Sequence, residues 1–227
     1  MANFDFLKSI KEYALFAGAC RDAEKVFSTS PALCAVGCRK GLELAVKWVY
    51  SAEKLKAPYQ DNLSAYLFDN QFKYKLVGYE LSVKLAFIHK LGNAAVHDNK
   101  KVELSQALTA LKTLFEFVQW IDFTYGKDYV KRAFDIKQIP SRVVFDDRAL
   151  KAKDEELKQR DDEIAALRAK VEAMSGSIQE VKAENILSRG MFQPELSEFE
   201  TRKQYIDLDL ELLGWQMGVN IKTEVPV

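Results

Sequence analysis

The sequence predicts an all-α protein, and three observations support this fold class. Apolar residues recur at helical spacing through the first block of the chain, and no Val/Ile-rich alternating run appears before residue 140. Aliphatic residues then recur every seven positions in a charged block with almost no aromatic residues. We therefore predict a helical bundle over residues 1–145, a heptad helix over residues 146–188, and a final block over residues 189–227.

The bundle begins with two predicted helices separated by a proline. Apolar spacing predicts the first helix over residues 4–27. Ser30 is then a suitable N-cap and Pro31 suits the first turn of a second helix, because proline lacks the amide hydrogen that this turn leaves unbonded. This second helix is predicted to run to Ala52, and Ala57-Pro58 ends the region.

Three more helices complete the predicted bundle. They cover residues 62–68, 78–90 and 103–125, and Gly126 is expected to stop the last one. Gly92 and Asn93 are expected to interrupt the apolar helix that precedes them. Residues 142–145 read as an extended strand or linker.

The second block has the spacing of a coiled coil. Leu150, Leu157, Ile164, Val171 and Ile178 occupy successive a positions, and Leu167, Met174 and Val181 occupy the last three d positions. Lys153 and Arg160 occupy the earlier d positions, so the first two heptads are weak, and Asn185 is the next a residue. We expect this helix to pair, either with a second chain or with another part of the same protein. The alternative is a solvated single helix that acts as a spacer.

Composition narrows the functional classes. The 33 basic residues balance the 33 acidic ones, which argues against a dedicated nucleic-acid-binding domain but leaves room for a local basic patch. Cys20, Cys34 and Cys38 fit buried reduced thiols in a cytoplasmic protein, and with only two histidines we expect no metal site. We expect no signal peptide, because the first residues lack a basic region and an apolar core, and no membrane span, because no uncharged run is long enough.

The most unusual string of the first block is Leu-Gly-Asn-Ala-Ala-Val-His-Asp at residues 91–98. Asn93 and His97 are four residues apart, so a helix would place both on one face. Such a pair can hold a phosphate or position a proton donor. The structural alternative is that Gly92 permits close helix packing while His97 bonds a neighbouring backbone group; spacing alone favours this alternative.

The final block contains a predicted amphipathic helix over residues 200–214 and a predicted strand over residues 219–227. The order Glu-Thr-Arg-Lys, Tyr-Ile-Asp, Leu and Gly-Trp across residues 200–215 resembles the start of the nuclease domain in the R subunits of type I restriction enzymes. This resemblance implies a truncated start of an α/β nuclease domain. The parent protein would use Mg²⁺ and ATP, act on DNA, and contact the other subunits of a restriction-modification complex.

A second resemblance covers roughly residues 1–125. Arg39 and Glu43 after Pro31, followed by the 91–98 string, resemble a helical domain of some of these R subunits that is similar to the HEPN group. HEPN bundles often dimerise, and HEPN ribonucleases place an arginine and a histidine from two protomers at the scissile phosphate. The histidine matches His97, and Lys90 stands where the arginine is expected, with His89 as the other candidate. Arg39 and Glu43 either pair with each other or anchor the Asn93/His97 turn.

The leading prediction is an N-terminal interaction and assembly module of a type I restriction R subunit. The sequence contains neither a phosphate loop for ATP nor the carboxylate–lysine pattern of a metal-dependent nuclease, so we expect this segment to be catalytically inactive and to need no cofactor. The alternative is a HEPN-type ribonuclease or RNA-binding domain that uses Asn93, His97 and Lys90. A third possibility is a free-standing coiled-coil dimerisation protein.

Overall fold

The protein is described by a computed structural model that covers residues 2–97, 101–141 and 147–190, with the side chains of residues 97 and 147–165 left out. Six α-helices form this part of the chain: α1 Ala14–Val26, α2 Pro31–Ala52, α3 Leu63–Phe68, α4 Tyr79–His97, α5 Leu104–Tyr125 and α6 Asp147–Arg189. The described residues contain no strand, which confirms the all-α class for this part. The predictions for residues 142–145 and for the helix and strand after residue 199 lie outside it.

The start of α2 agrees with the prediction, whereas the start of α1 does not. The Ser30 hydroxyl accepts a hydrogen bond from the Leu33 amide (3.2 Å), and Pro31 is the first helical residue. The segment before α1 forms two short 3₁₀ turns instead, Asp5–Ser9 and Lys11–Tyr13. The carboxylate of Glu24, fully buried on α1, accepts hydrogen bonds from the backbone amides of Asn3 and Phe4, and this folds the N-terminal segment back onto α1.

The predicted interruption at Gly92 and Asn93 is wrong, because α4 continues through both residues to His97. Gly92 is needed for a close approach to another helix, described below, and does not end the helix. By contrast, α5 ends at Gly126 as predicted, and Glu103 and Gln106 form a capping box at its start.

The core is rich in aromatic side chains. Trp48 on α2 has edge-to-face contacts with Tyr13, Phe16 and Tyr125, and its indole nitrogen donates to the Glu12 carbonyl (2.6 Å). Lys84 on α4 is fully buried and its ammonium lies 2.9 Å from the Glu116 carboxylate on α5. The three cysteines are buried free thiols, as predicted.

The C-terminal half of α6 packs against α2 and α5. Val171 and Ile178 are each 7% exposed, and Leu167 packs partly buried against the core. Met174 is 38% exposed and Val181 is half-buried. In the described part of the helix, the heptad stripe is therefore covered by the bundle of the same chain. The side chains of Leu157 and Ile164 lie outside the described residues.

Polar contacts fasten the last two turns of α6 to the C-terminal ends of α2 and α5. The Asn185 amide donates to the carbonyls of Thr124 (3.0 Å) and Gly126 (3.1 Å), and Arg189 donates to the Phe123 carbonyl (2.9 Å). Lys182 forms an ion pair with Glu53 at the C-cap of α2. Asn185 and Arg189 thereby satisfy carbonyls at the C-terminal end of α5, where a helix leaves such groups without intrahelical partners, so bundle and helix form one packed unit here.

Candidate functional site

The best candidate site lies on α4 where it crosses α2. His89 and Asn93 are one turn apart on α4, and the Nε2 atom of His89 lies 3.0 Å from the Nδ2 atom of Asn93. In this arrangement the Asn93 amide donates to an unprotonated Nε2, so the proton of the neutral imidazole lies on Nδ1. Asn93 is therefore the hydrogen-bond partner of His89, which lies one helical turn closer to the N-terminus of α4.

Arg39 of α2 lies directly over Gly92. A Cβ atom placed on residue 92 would be 2.5 Å from the Cβ and 2.8 Å from the Cδ of Arg39. Only glycine leaves room for the arginine stem at this point. The Nε atom of Arg39 is buried and has no hydrogen-bond partner within the described part of the chain. The close crossing thus places a guanidinium next to the His89–Asn93 pair.

The electrostatics of this cluster favour a neutral histidine. Burial lowers the pKa of His89 below its ordinary value of 6.5, and the positive charges of Arg39 and Lys90 lower this pKa further. A neutral imidazole beside two cations can accept a proton, while the cations attract an anion. The chemistry that fits this cluster is the binding of a phosphate or carboxylate group, with His89 as a potential general base.

The structure brings together some of the predicted site residues and separates others. Arg39, Gly92 and Asn93 meet at the crossing of α2 and α4. Glu43 forms an ion pair with Lys47 (3.0 Å), which also contacts Asp61 (2.9 Å). His97 is the last residue of α4, and its side chain lies outside the described residues, so its predicted pairing with Asn93 stays a prediction.

A cavity of about 410 Å³ lies between α6 and the bundle. The most buried charged group in its lining is Asp122, whose carboxylate accepts hydrogen bonds from the Tyr13 hydroxyl (3.2 Å) and from Arg132 (3.1 Å). Burial raises the pKa of Asp122 above its ordinary value, although the charge of Arg132 opposes this effect. Since these charged groups already bind one another, the cavity is a weaker candidate than the cluster around Arg39.

Comparison with protein-family models, curated proteins and solved structures finds no match to this chain. Among the described residues, no group of three or more histidine, cysteine or acidic side chains is placed to hold a metal ion. None of the described helices combines the length and apolar character needed to cross a bilayer. A functional assignment therefore rests on the sequence resemblances and on the geometry above.

Proposed function

We propose that this chain is the N-terminal interaction and assembly module of the R subunit of a type I restriction enzyme. The parent protein would use Mg²⁺ and ATP to move and cleave foreign DNA, and the other subunits of the complex would be its partners. The resemblances at residues 91–98 and 200–215 support the family.

One structural observation supports the role of an assembly module. The end of α6 is fastened to α2 and α5 by Lys182, Asn185 and Arg189. Since α6 ends at Arg189, the C-terminal end of this helix has a fixed place on the bundle. A bundle built in this way is suited to hold the next domain in one position.

Three experiments test this proposal. The native reading frame should encode a phosphate loop after codon 227, and affinity purification of the tagged protein from its host should recover a methyltransferase subunit and a DNA-specificity subunit. A frame without such a loop, together with a purification that contains neither subunit, would contradict the proposal. The isolated chain should leave a supercoiled plasmid intact in the presence of Mg²⁺ and ATP.

The second candidate function is that of a HEPN-type ribonuclease or RNA-binding domain. The observation that favours it is the cluster of Arg39, His89 and Asn93, in which a neutral histidine lies beside a buried guanidinium nitrogen. If this candidate is correct, the wild-type protein degrades single-stranded RNA without metal. Comparison of His89→Ala with His97→Ala would then show which histidine serves as the base, and Lys90→Ala would test whether the lysine neutralises the phosphate. Thermal unfolding checks that each variant is folded. RNA that stays intact with the wild-type protein excludes the ribonuclease.

A further inference from the structure

A second surface, at the opposite end of α4 from the Arg39 cluster, combines exposed aromatic rings with lysines. We define the aromatic–lysine patch by Phe68, Lys73, Tyr74, Lys75 and Tyr79. Phe68, Tyr74 and Tyr79 are 53%, 57% and 61% exposed, although large aromatic side chains are usually buried. Tyr79 is ten residues before His89, or about 15 Å along a helix at 1.5 Å per residue. The patch is therefore separate from the site described above.

The backbone of this surface is unusual. Residues Gln71–Leu76 form a π-helix, which carries Lys73, Tyr74 and Lys75, and π-helical turns are rare and frequent at functional sites. Gly78, with φ of +78°, then turns the chain into α4 and places Tyr79 at its first position. The buried ring of Phe72 anchors the π-helix by stacking on Tyr50 and contacting Phe117 edge-on. Tyr74 and Tyr79 remain on the surface beside this buried anchor.

Lys73 lies between the two exposed tyrosines. Its ammonium is 4.9 Å from the centroid of the Tyr74 ring and 5.3 Å from that of the Tyr79 ring. This position holds a positive charge beside two tyrosine rings that are each more than half exposed. A ligand that carries both flat rings and negative charges matches this arrangement.

The acidic residues nearest in sequence have other partners. Asp69 accepts hydrogen bonds from the Tyr50 hydroxyl (2.9 Å) and from the Gln71 amide (2.9 Å). Glu80 lies 3.8 Å from the buried ammonium of Lys84. In the described residues, neither Lys73 nor Lys75 forms an ion pair with them. The patch is therefore locally positive in a chain whose net charge is zero.

We propose that the aromatic–lysine patch binds single-stranded nucleic acid. The bases would stack on Tyr74 and Tyr79, and the phosphates would lie near Lys73 and Lys75. Exposed aromatic rings next to lysines are the recurring way in which proteins bind single strands without reading sequence. A base pair in a duplex hides its flat faces, so the patch favours unpaired strands. The same chemistry fits DNA and RNA.

The test uses the whole chain and fluorescein-labelled single strands, dT20 and rU20, followed by fluorescence anisotropy. Binding should be competed by unlabelled single strands and far less by duplex of the same length. Tyr74→Ala and Tyr79→Ala should each weaken binding about fivefold or more, because base–aromatic stacking of about 1 kcal/mol or more is lost. Tyr74→Phe and Tyr79→Phe keep the flat ring and should retain near wild-type affinity. Lys73→Gln should reduce the slope of log K against log salt by about 0.7, as expected for one phosphate contact to a single strand.

Tyr59, a fully exposed tyrosine between α2 and α3, supplies the matched control. Tyr59→Ala should leave the affinity unchanged. Equal binding of dT20 and rU20 would show that the patch accepts single strands of both DNA and RNA. Tighter binding of one would show which of the two is the ligand. The proposal is overturned if the wild-type chain binds neither oligonucleotide, if duplex competes equally well, or if the alanine variants bind like Tyr59→Ala. A patch that recognises a protein would give the first of these results. The test is independent of the proposed assembly function, because it involves neither a restriction subunit nor the His89 cluster.

Discussion

Replacement of Gly92 by alanine should destabilise the protein, although the same change is usually favourable inside a helix. Glycine in a helix interior is less stable than alanine by about 0.5–1 kcal/mol. At position 92, however, the new Cβ would lie 2.5 Å from the Cβ of Arg39, compared with an ordinary carbon–carbon contact of roughly 3.5–4.0 Å. The Cβ of Arg39 is fixed to the backbone of α2 and cannot rotate away.

The magnitude follows from these two opposing effects. To relieve the contact, α4 has to move by about 1 Å or more from α2, and insertion of a methyl group into a packed interface of this kind costs about 1–3 kcal/mol. After subtraction of the gain in helix propensity of about 0.5–1 kcal/mol, we expect Gly92→Ala to lower the free energy of unfolding by about 1 kcal/mol, and by up to about 2.5 kcal/mol. Urea denaturation at pH 7.5 with linear extrapolation measures this difference.

Gly18 on α1 provides the control, because a Cβ at this position meets no other atom within 4 Å. Gly18→Ala should therefore raise the free energy of unfolding by about 0.5–1 kcal/mol, the opposite sign. If Gly92→Ala stabilised the protein as much as Gly18→Ala does, the close crossing of α2 and α4 would be refuted. The position of Arg39 beside His89 and Asn93 would then have to be abandoned as well.

Three further outcomes are expected. Asn185→Ala should lower the free energy of unfolding by about 1–3 kcal/mol, because two hydrogen bonds to the end of α5 are lost, one buried and one partly buried, whereas the exposed Glu184→Ala should change it little in the same urea titration. Since the pKa of His89 is lower in the folded state than its ordinary 6.5, the unfolded chain takes up the proton first, and stability should fall as the pH drops below about 6.5. His89→Gln should make the loss between pH 7.5 and pH 5.5 smaller, and an unchanged loss would place His89 in a solvated environment. Val171→Asp should release α6, which hydrogen exchange of its backbone amides would detect, while the more exposed Met174→Asp should leave α6 docked; if both behave alike, the bundle does not cover this stripe.

Local signals in the sequence predicted local features correctly. The start of α2 at Ser30-Pro31 and the end of α5 at Gly126 follow from backbone chemistry within a few residues, and both predictions are confirmed. The helix predicted from residue 4 is absent at its start, where Asn3 and Phe4 bind the buried carboxylate of Glu24 about twenty residues away, a contact that apolar spacing does not contain. Periodicity identified an apolar stripe on α6 without revealing that α2 and α5 cover its described half.

The candidate site likewise depends on contacts between helices that local sequence patterns do not contain. The prediction that Gly92 interrupts the helix is wrong, whereas the alternative, that Gly92 permits close helix packing, agrees with the structure. Helical spacing applied toward the C-terminus linked Asn93 to His97, while the same spacing applied toward the N-terminus gives the observed His89–Asn93 pair. The pairing of Asn93 with His97 lies outside the described side chains and stays a prediction. The π-helix had no signal in apolar spacing.

The buried ion pair between Lys84 and Glu116 restricts how this protein can evolve. Loss of Lys84 alone leaves the largely buried carboxylate of Glu116 without its ammonium partner, and breaking a buried pair in this way costs about 3–5 kcal/mol, a large part of the stability of an ordinary domain. Replacement of both by a well-packed apolar pair is often neutral, so the obstacle lies in the single-substitution intermediates and not in the end point. A lineage can leave this arrangement only after it has gained spare stability elsewhere. In related sequences, positions 84 and 116 should therefore change together.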